Sequence, residues 1–236
     1  MVPPPFARAV AYGPYQGRMR EAIHALKYHR LEPAARQLGR MLAEAIAQLA
    51  AEAPSEMLVV PVPLHRSKYR ARGFNQARSL AAEALEFLSK THPAWKLRMA
   101  SSTLMRLRAT ESQAGLTSRM RRLNVRGAFS VSDPSAVTLK HILVIDDILT
   151  TGATARATAH ALIKAGAASV WVATLARAQR ISEPGRGFYF EDADITEELQ
   201  MRGGEPLRRD SELTGNVPGA ARGQAGRFSS HDQPSF

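Results

Sequence analysis

Two adjacent carboxylates, Asp146 and Asp147, close an apolar run that starts at His141, and the stretch Thr150-Thr151-Gly152-Ala153-Thr154 follows them. Ionised carboxylates only accept hydrogen bonds, so a neighbouring pair can meet a vicinal diol or a metal-bound ligand. Small residues ahead of a helix let backbone N–H groups close around a phosphate. A diol and a phosphate at that spacing describe a ribose 5-phosphate. The plainer alternative is an ordinary strand–turn–helix with an acidic turn. The order of carboxylates, Thr-Thr-Gly and helix start favours the ligand reading.

A second constellation runs from Val60 through Pro61-Val62-Pro63 to Arg66, Lys68, Arg70 and Arg72, then Gly73-Phe74-Asn75-Gln76. Prolines fix the backbone, and cations on alternate positions could place guanidinium groups around a diphosphate. Asn75 can cap the next helix or contact a ligand. An arginine-rich surface loop is the alternative. The third set is Arg106-Leu107-Arg108, Gln113, Arg121, Asn124 and Gly127-Ala128-Phe129, which suits either a lid closing on a ligand or an exposed hairpin and helix.

These groups need a frame. The run 142–145 reads as a buried parallel strand, whose carboxyl end is where open α/β sheets bind ligands. A helix is expected over 155–165, stopped by Gly166. Residues 57–62 and 169–175 are further β-rich runs, 128–131 is a short strand, and 95–105 contains a strand. Helical spacing covers 17–29, with Met19, Ile23, Leu26 and Lys27 near one face. It recurs from Pro33 to about residue 53, over 74–89 and over 113–124. Residues 1–15 look irregular, and a basic loop is expected up to Gly73. After Arg177 apolar periodicity fades, and a disordered tail is expected. Gly185 and Gly187 begin a dinucleotide-like pattern, but position 190 is Phe. The expected organisation is an N-terminal lead-in with helices (1–56), a principal α/β domain (57–177) and the tail (178–236).

The 236-residue chain carries no cysteine, which excludes disulfides, thiolate zinc sites and a cysteine nucleophile. It shows no signal-peptide pattern and no apolar stretch long enough to span a bilayer, so a cytoplasmic protein without membrane insertion is expected. The net charge of +11 is concentrated. Residues 60–126 hold 14 of the 32 Lys and Arg but only 3 of the 21 Asp and Glu, and the remainder balances at 18 against 18. Such a basic segment implies a polyanionic partner, either the phosphates of a small ligand or a nucleic-acid backbone.

Several of these motifs occur in one order: Ala25-Leu26-Lys27-Tyr28, Val60-Pro61-Val62-Pro63, Arg72-Gly73-Phe74-Asn75-Gln76, Arg106 through Gln113, Asn124-Val125 with Gly127-Ala128-Phe129, and Asp146-Asp147 with Thr150 to Thr154. Over roughly residues 10–177 this set resembles the ComF/GntX family of phosphoribosyltransferase-like proteins. The acidic pair with its Thr/Gly stretch is similar to the binding motif of type I phosphoribosyltransferases, which use phosphoribosyl pyrophosphate (PRPP). The resemblance implies a type I phosphoribosyltransferase-like α/β fold, a parallel sheet flanked by helices. It implies that Asp146 and Asp147 hold the ribose hydroxyls and that Thr150, Thr151, Gly152, Ala153 and Thr154 wrap the 5-phosphate. Pro61, Val62, Pro63, Arg66 and Arg72 would face the pyrophosphate, with Mg²⁺ arriving on PRPP and no direct metal ligand from the protein. Arg106, Arg108, Gln113, Arg121 and Asn124 would form the lid.

The resemblance also implies an association with DNA uptake during natural transformation. Two readings follow: a PRPP-dependent transferase of unidentified acceptor, or a non-catalytic factor that senses PRPP or handles single-stranded DNA with competence proteins. Aromatic residues are few in the basic segment, so stacking platforms for single strands are not evident. This sequence departs from its relatives in three ways. The zinc ribbon usual in the family cannot be built without cysteine. The family tends to end near Ala176-Arg177, so the tail is foreign to it. Purine-salvage relatives carry a base carboxylate three residues after the second acid, where this chain has Thr150, a hydroxyl that cannot serve as base near neutral pH.

Overall fold

The computed structural model describes residues 3–28, 32–108 and 127–178. In chain order the elements are β1 (Arg8–Pro14), α1 (Gly17–Tyr28), α2 (Glu32–Ala47), β2 (Glu56–Pro61), α3 (Arg66–Arg72), α4 (Gln76–Thr91), β3 (Lys96–Met99), β4 (Leu104–Arg106), β5 (Phe129–Val131), β6 (His141–Leu149), α5 (Ala153–Lys164) and β7 (Ser169–Arg177). Five strands form one parallel sheet in the order β1-β7-β6-β2-β3. A separate antiparallel pair joins β4 to β5, with Arg106 opposite Phe129.

Strand alternation divides the interior in two. Val59, Leu143, Ile145, Ala173 and Leu175 face a core completed by Ile23 and Leu26 of α1, Leu42 and Ile46 of α2, and Leu80 and Ala84 of α4. Val60, Ile142, Val144, Val170 and Val172 face the other core, completed by Ala155, Ala159 and Leu162 of α5 with Leu104 and Phe129. Both faces of β6 are therefore dry, which is why its first half reads as an unbroken apolar run. Each large aliphatic side chain buried this way contributes about 1.5–3 kcal/mol of transfer free energy.

The expected sheet and its flanking helices are present, with local differences. Residues 8–14 are not irregular. They form an edge strand paired with β7, from Arg8 opposite Trp171 to Pro14 opposite Arg177. The segment RAVAYGP has a single β-branched residue, so the edge of β7 rather than local propensity makes it a strand. The basic loop contains helix α3. The His65 ring accepts from the Ser67 N–H at its start, and Gly73, at φ 75°, ends it in the left-handed region. Helix α4 begins at Gln76 rather than Phe74 because Asn75 caps it, accepting from the Arg78 N–H at 3.3 Å. Segment 95–105 supplies two strands, one to each sheet. Helix α5 starts two residues early, at Ala153. The helix expected over 113–124 lies outside the described residues, as does the expected tail beyond Ala178.

Helices α2 and α4 cross closely at Gly39, where a Cβ would overlap the Glu83 Cβ and crowd the Ala84 backbone. Alanine inside an exposed helix normally stabilises by about 1 kcal/mol relative to glycine. Gly39→Ala should instead destabilise this fold by about 1–3 kcal/mol through overpacking. Urea unfolding of the two proteins measures the sign directly.

Candidate active site

The central strand β6 delivers the carboxylate pair to the carboxyl edge of the sheet. Because successive side chains on a strand point to opposite faces, the two adjacent acids separate. Asp146 follows Val144 toward α5 and lines a narrow cleft. The floor of the cleft is Val62, Val172 and Thr174, and its rim is Thr150, Gly152 and Thr154. Asp147 follows Leu143 and Ile145 toward the helical layer of α1, where Lys27 Nζ lies 3.3 Å from its Oδ2. Both side chains of that ion pair are largely buried, at 15% and 19% exposure.

The Asp146 carboxylate is costly to ionise. Burial, and then the neighbouring negative charge of Asp147, push its pKa up to about 8, against the Asp147 N–H, Lys27 and Arg106. Its Oδ1 accepts the Asp147 N–H at 3.0 Å. Arg106 stands on the β4–β5 side with its guanidinium over the Phe129 ring, 5.4 Å from the centroid. Burial lowers the pKa of Arg106 while the charge of Asp146 raises it.

The loop after β6 has the features of an anion cradle. Gly152 takes the left-handed conformation, φ 72°, immediately before α5, and no side chain caps that helix. First-turn N–H groups of a helix have no partner within the helix, so they can turn to a ligand. The Thr151 hydroxyl oxygen is buried and has no hydrogen-bond partner among the described residues. Leaving such a group unsatisfied costs about 1–3 kcal/mol, which a ligand oxygen could relieve. Ala153 and Thr154, the first residues of α5, complete the cradle wall.

The remaining expected site residues are placed unequally. Pro61 and Val62 are buried at the end of β2. The Val62 N–H donates to the Ile145 carbonyl at 2.9 Å, and its own carbonyl accepts from Asn75 Nδ2 at 3.0 Å. Val62 lines the cleft, and Asn75 both caps α4 and ties down the loop. Pro63 is half-buried. Arg66 is exposed and Arg72 half-buried on α3, and neither is among the side chains lining the cleft. Arg106 approaches Asp146, Arg108 is exposed, and Gln113, Arg121 and Asn124 lie outside the described residues. Lys27 was given no role from sequence. The signal was a lysine on the apolar face of α1, beside the fully buried Ile23 and Leu26. Among the described residues, no group of three or more His, Cys, Asp or Glu could hold a metal ion, and no helix is long and apolar enough to cross a membrane.

Comparison with known proteins gives a family match. Residues 71–193 match the family model described as phosphoribosyl transferase domain. The chain is 34% identical over 177 residues to the DNA utilization protein YhgH of Salmonella typhi, covering 74% of each chain. It is 30% identical over 121 residues to competence protein F of Haemophilus influenzae, covering 51% of this chain and 50% of that one. Among solved structures, a hypoxanthine phosphoribosyltransferase from Staphylococcus aureus aligns with a TM-score of 0.37 at 14% identity, over 72% of this chain and 77% of that one, a likeness too slight to weigh.

The raised pKa of Asp146 predicts a pH-dependent stability. Its folded-state pKa exceeds its unfolded value, so between about pH 4 and pH 8 the folded chain binds more protons than the unfolded one. The stability of the ligand-free protein should therefore fall as pH rises through that window, by at most about 1.4 kcal/mol per unit. Asp146→Asn should flatten the slope and be the more stable protein near pH 8. Denaturant unfolding of both proteins across the window checks this, and equal slopes would contradict it.

Proposed function

The chain belongs to the ComF family of phosphoribosyltransferase-domain proteins and has the type I phosphoribosyltransferase-like fold, and from its cleft we propose that it binds PRPP with Mg²⁺ and transfers the phosphoribosyl group to an acceptor. The observation that carries this reading is the buried Thr151 hydroxyl in the loop after β6, immediately before the left-handed Gly152 and the uncapped start of α5, which line the same cleft as Asp146. The 5-phosphate occupies the Thr150–Thr154 loop, and the ribose hydroxyls donate to Asp146 and Asp147. Mg²⁺ arrives on the diphosphate oxygens, with Arg66, Arg72, Arg106 and Arg108 supplying positive charge around it. With PRPP bound, the cation's part is to offset charge on the departing diphosphate.

Transfer breaks the bond from C1 of the ribose to pyrophosphate, which leaves with the electron pair, while the acceptor nucleophile bonds to C1. Such a step draws mostly on positioning and charge neutralisation. Thr150 stands where purine-salvage relatives place a base, so the acceptor is one that needs no carboxylate there to take its proton. The names of the relatives, a DNA utilization protein and a competence protein, support a role in DNA utilization or competence. One observation favours a second, non-catalytic reading. Helix α3 has no buried residue and displays exposed Arg66, Tyr69 and Arg70, a surface suited to a polyanion such as single-stranded DNA.

Calorimetry with PRPP and Mg²⁺ tests the principal reading. Asp146→Asn with Asp147→Asn should abolish binding, since two charge-assisted bonds contribute about 3–6 kcal/mol together. Binding equal to that of the unaltered protein would refute the site. Thr151→Val should weaken ribose 5-phosphate binding by about 1–3 kcal/mol while leaving unfolding unchanged or slightly stabilised. Release of pyrophosphate that depends on a second substrate separates the transferase from the sensor. Salt-sensitive DNA binding that survives the double Asn variant would favour the second reading.

A further inference from the structure

We infer that Lys27 is a positioning residue for the ribose-binding carboxylates: its ammonium, reaching from the last turn of α1, holds the Asp147 carboxylate oriented at the sheet edge. This rests on the PRPP reading proposed above. Three observations carry it. Lys27 Nζ stands 3.3 Å from Asp147 Oδ2, and both side chains are largely withdrawn from water. A buried charge is retained at a cost, and removing one partner of such a pair leaves the other uncompensated. Ile23 and Leu26, buried to 0% and 1% exposure, fix the rotation of α1, so the lysine is aimed by the core rather than by its own flexible stem.

The third observation is the division of the acids. Asp146 faces the cleft with Arg106 on its side, and Asp147 faces α1 with Lys27. Each carboxylate thus has a cation on its own face of β6, and the charge of Lys27 reaches Asp146 as well. Two ionised acids one residue apart would repel each other and a polyanionic ligand. With Lys27 beside it, the Asp147 carboxylate is held in place to accept a hydroxyl, while the pair presents less negative charge to PRPP. Lys27 need not touch the ligand for this, so it is not a catalytic residue.

The test uses the full chain and the variants Lys27→Met, Lys27→Gln, Lys27→Arg, Asp147→Asn and the double Lys27→Met/Asp147→Asn. Calorimetry measures PRPP–Mg²⁺ and, separately, inorganic phosphate. Carbon-13 NMR follows the aspartate carboxyls with pH in the ligand-free protein. Lys27→Met and Lys27→Gln should each weaken PRPP about 10–100-fold, the effect of losing one charge-assisted bond. Lys27→Arg should recover most of the loss, and phosphate affinity should not move. The double variant should bind no worse than Asp147→Asn alone, because the lysine acts through that carboxylate. The carboxyl pair should titrate higher in the Met and Gln variants than in the unaltered protein or Lys27→Arg.

Additive losses in the double variant would overturn the proposal by showing that Lys27 acts independently of Asp147. A parallel loss of phosphate affinity would overturn it as general damage to the site. Unchanged carboxyl titration in Lys27→Gln would overturn it even if Lys27→Met failed to fold. If the unaltered protein binds no PRPP, the ligand reading falls, and the NMR arm alone then decides whether Lys27 governs the pair.

Discussion

Everything in the site depends on β6 being buried on both faces. A strand with water on one side could place neighbouring carboxylates in a wet, forgiving environment. Here Ile142, Leu143, Val144 and Ile145 are all fully buried, and the strand runs directly from that dry interior into Asp146. The sheet therefore holds the acids rigidly, and the same burial makes Asp146 reluctant to ionise. Alternation then assigns each acid its surroundings: the cleft for one, the helical layer for the other.

This arrangement trades stability for a prepared site. An acid whose pKa is pushed up to about 8, a buried hydroxyl with no partner among the described residues, and a helix whose start is left uncapped are each unfavourable in the ligand-free protein. The acid and the helix start line the same cleft, and the hydroxyl lies in the loop between residues that line it. Such a concentration of unsatisfied groups is expected where a ligand with a matching phosphate and hydroxyls completes the hydrogen bonding. A capping Ser or Asp before α5 would stabilise the helix and would also fill the space an anion needs.

The N-terminal segment belongs to the same construction. β1 extends the sheet beside β7, and α1 and α2 close the face opposite α5. Their contribution is more than cover, because α1 brings a cation that meets Asp147. On the other side, the β4–β5 pair leans on α5 through Phe129 and carries Arg106 toward Asp146. Electrostatic balance at the centre of the sheet is thus assembled from segments more than a hundred residues apart in sequence.

The sequence by itself determined the parallel sheet, the acidic pair on an inner strand, which runs on past the pair to Leu149, and the glycine turn into α5. These features are written in contiguous residues: an apolar run, two acids, a Thr/Gly stretch and a helix start. It could not show that residues 8–14 are a strand, since their pairing is supplied by an edge of β7 that lies 163 residues downstream, Arg8 opposite Trp171. Nor could it show that Val62 spends its backbone groups on Ile145 and Asn75. The helix within the basic loop also escaped, because its stability comes from a His65 cap and a left-handed Gly73 and not from apolar periodicity. Above all, only the tertiary structure decided that Asp146 and Asp147 serve different surroundings, and that Lys27 is the partner of one of them. The physical reason is that local periodicity fixes which way a side chain points, whereas what it meets there depends on segments the chain brings in from elsewhere.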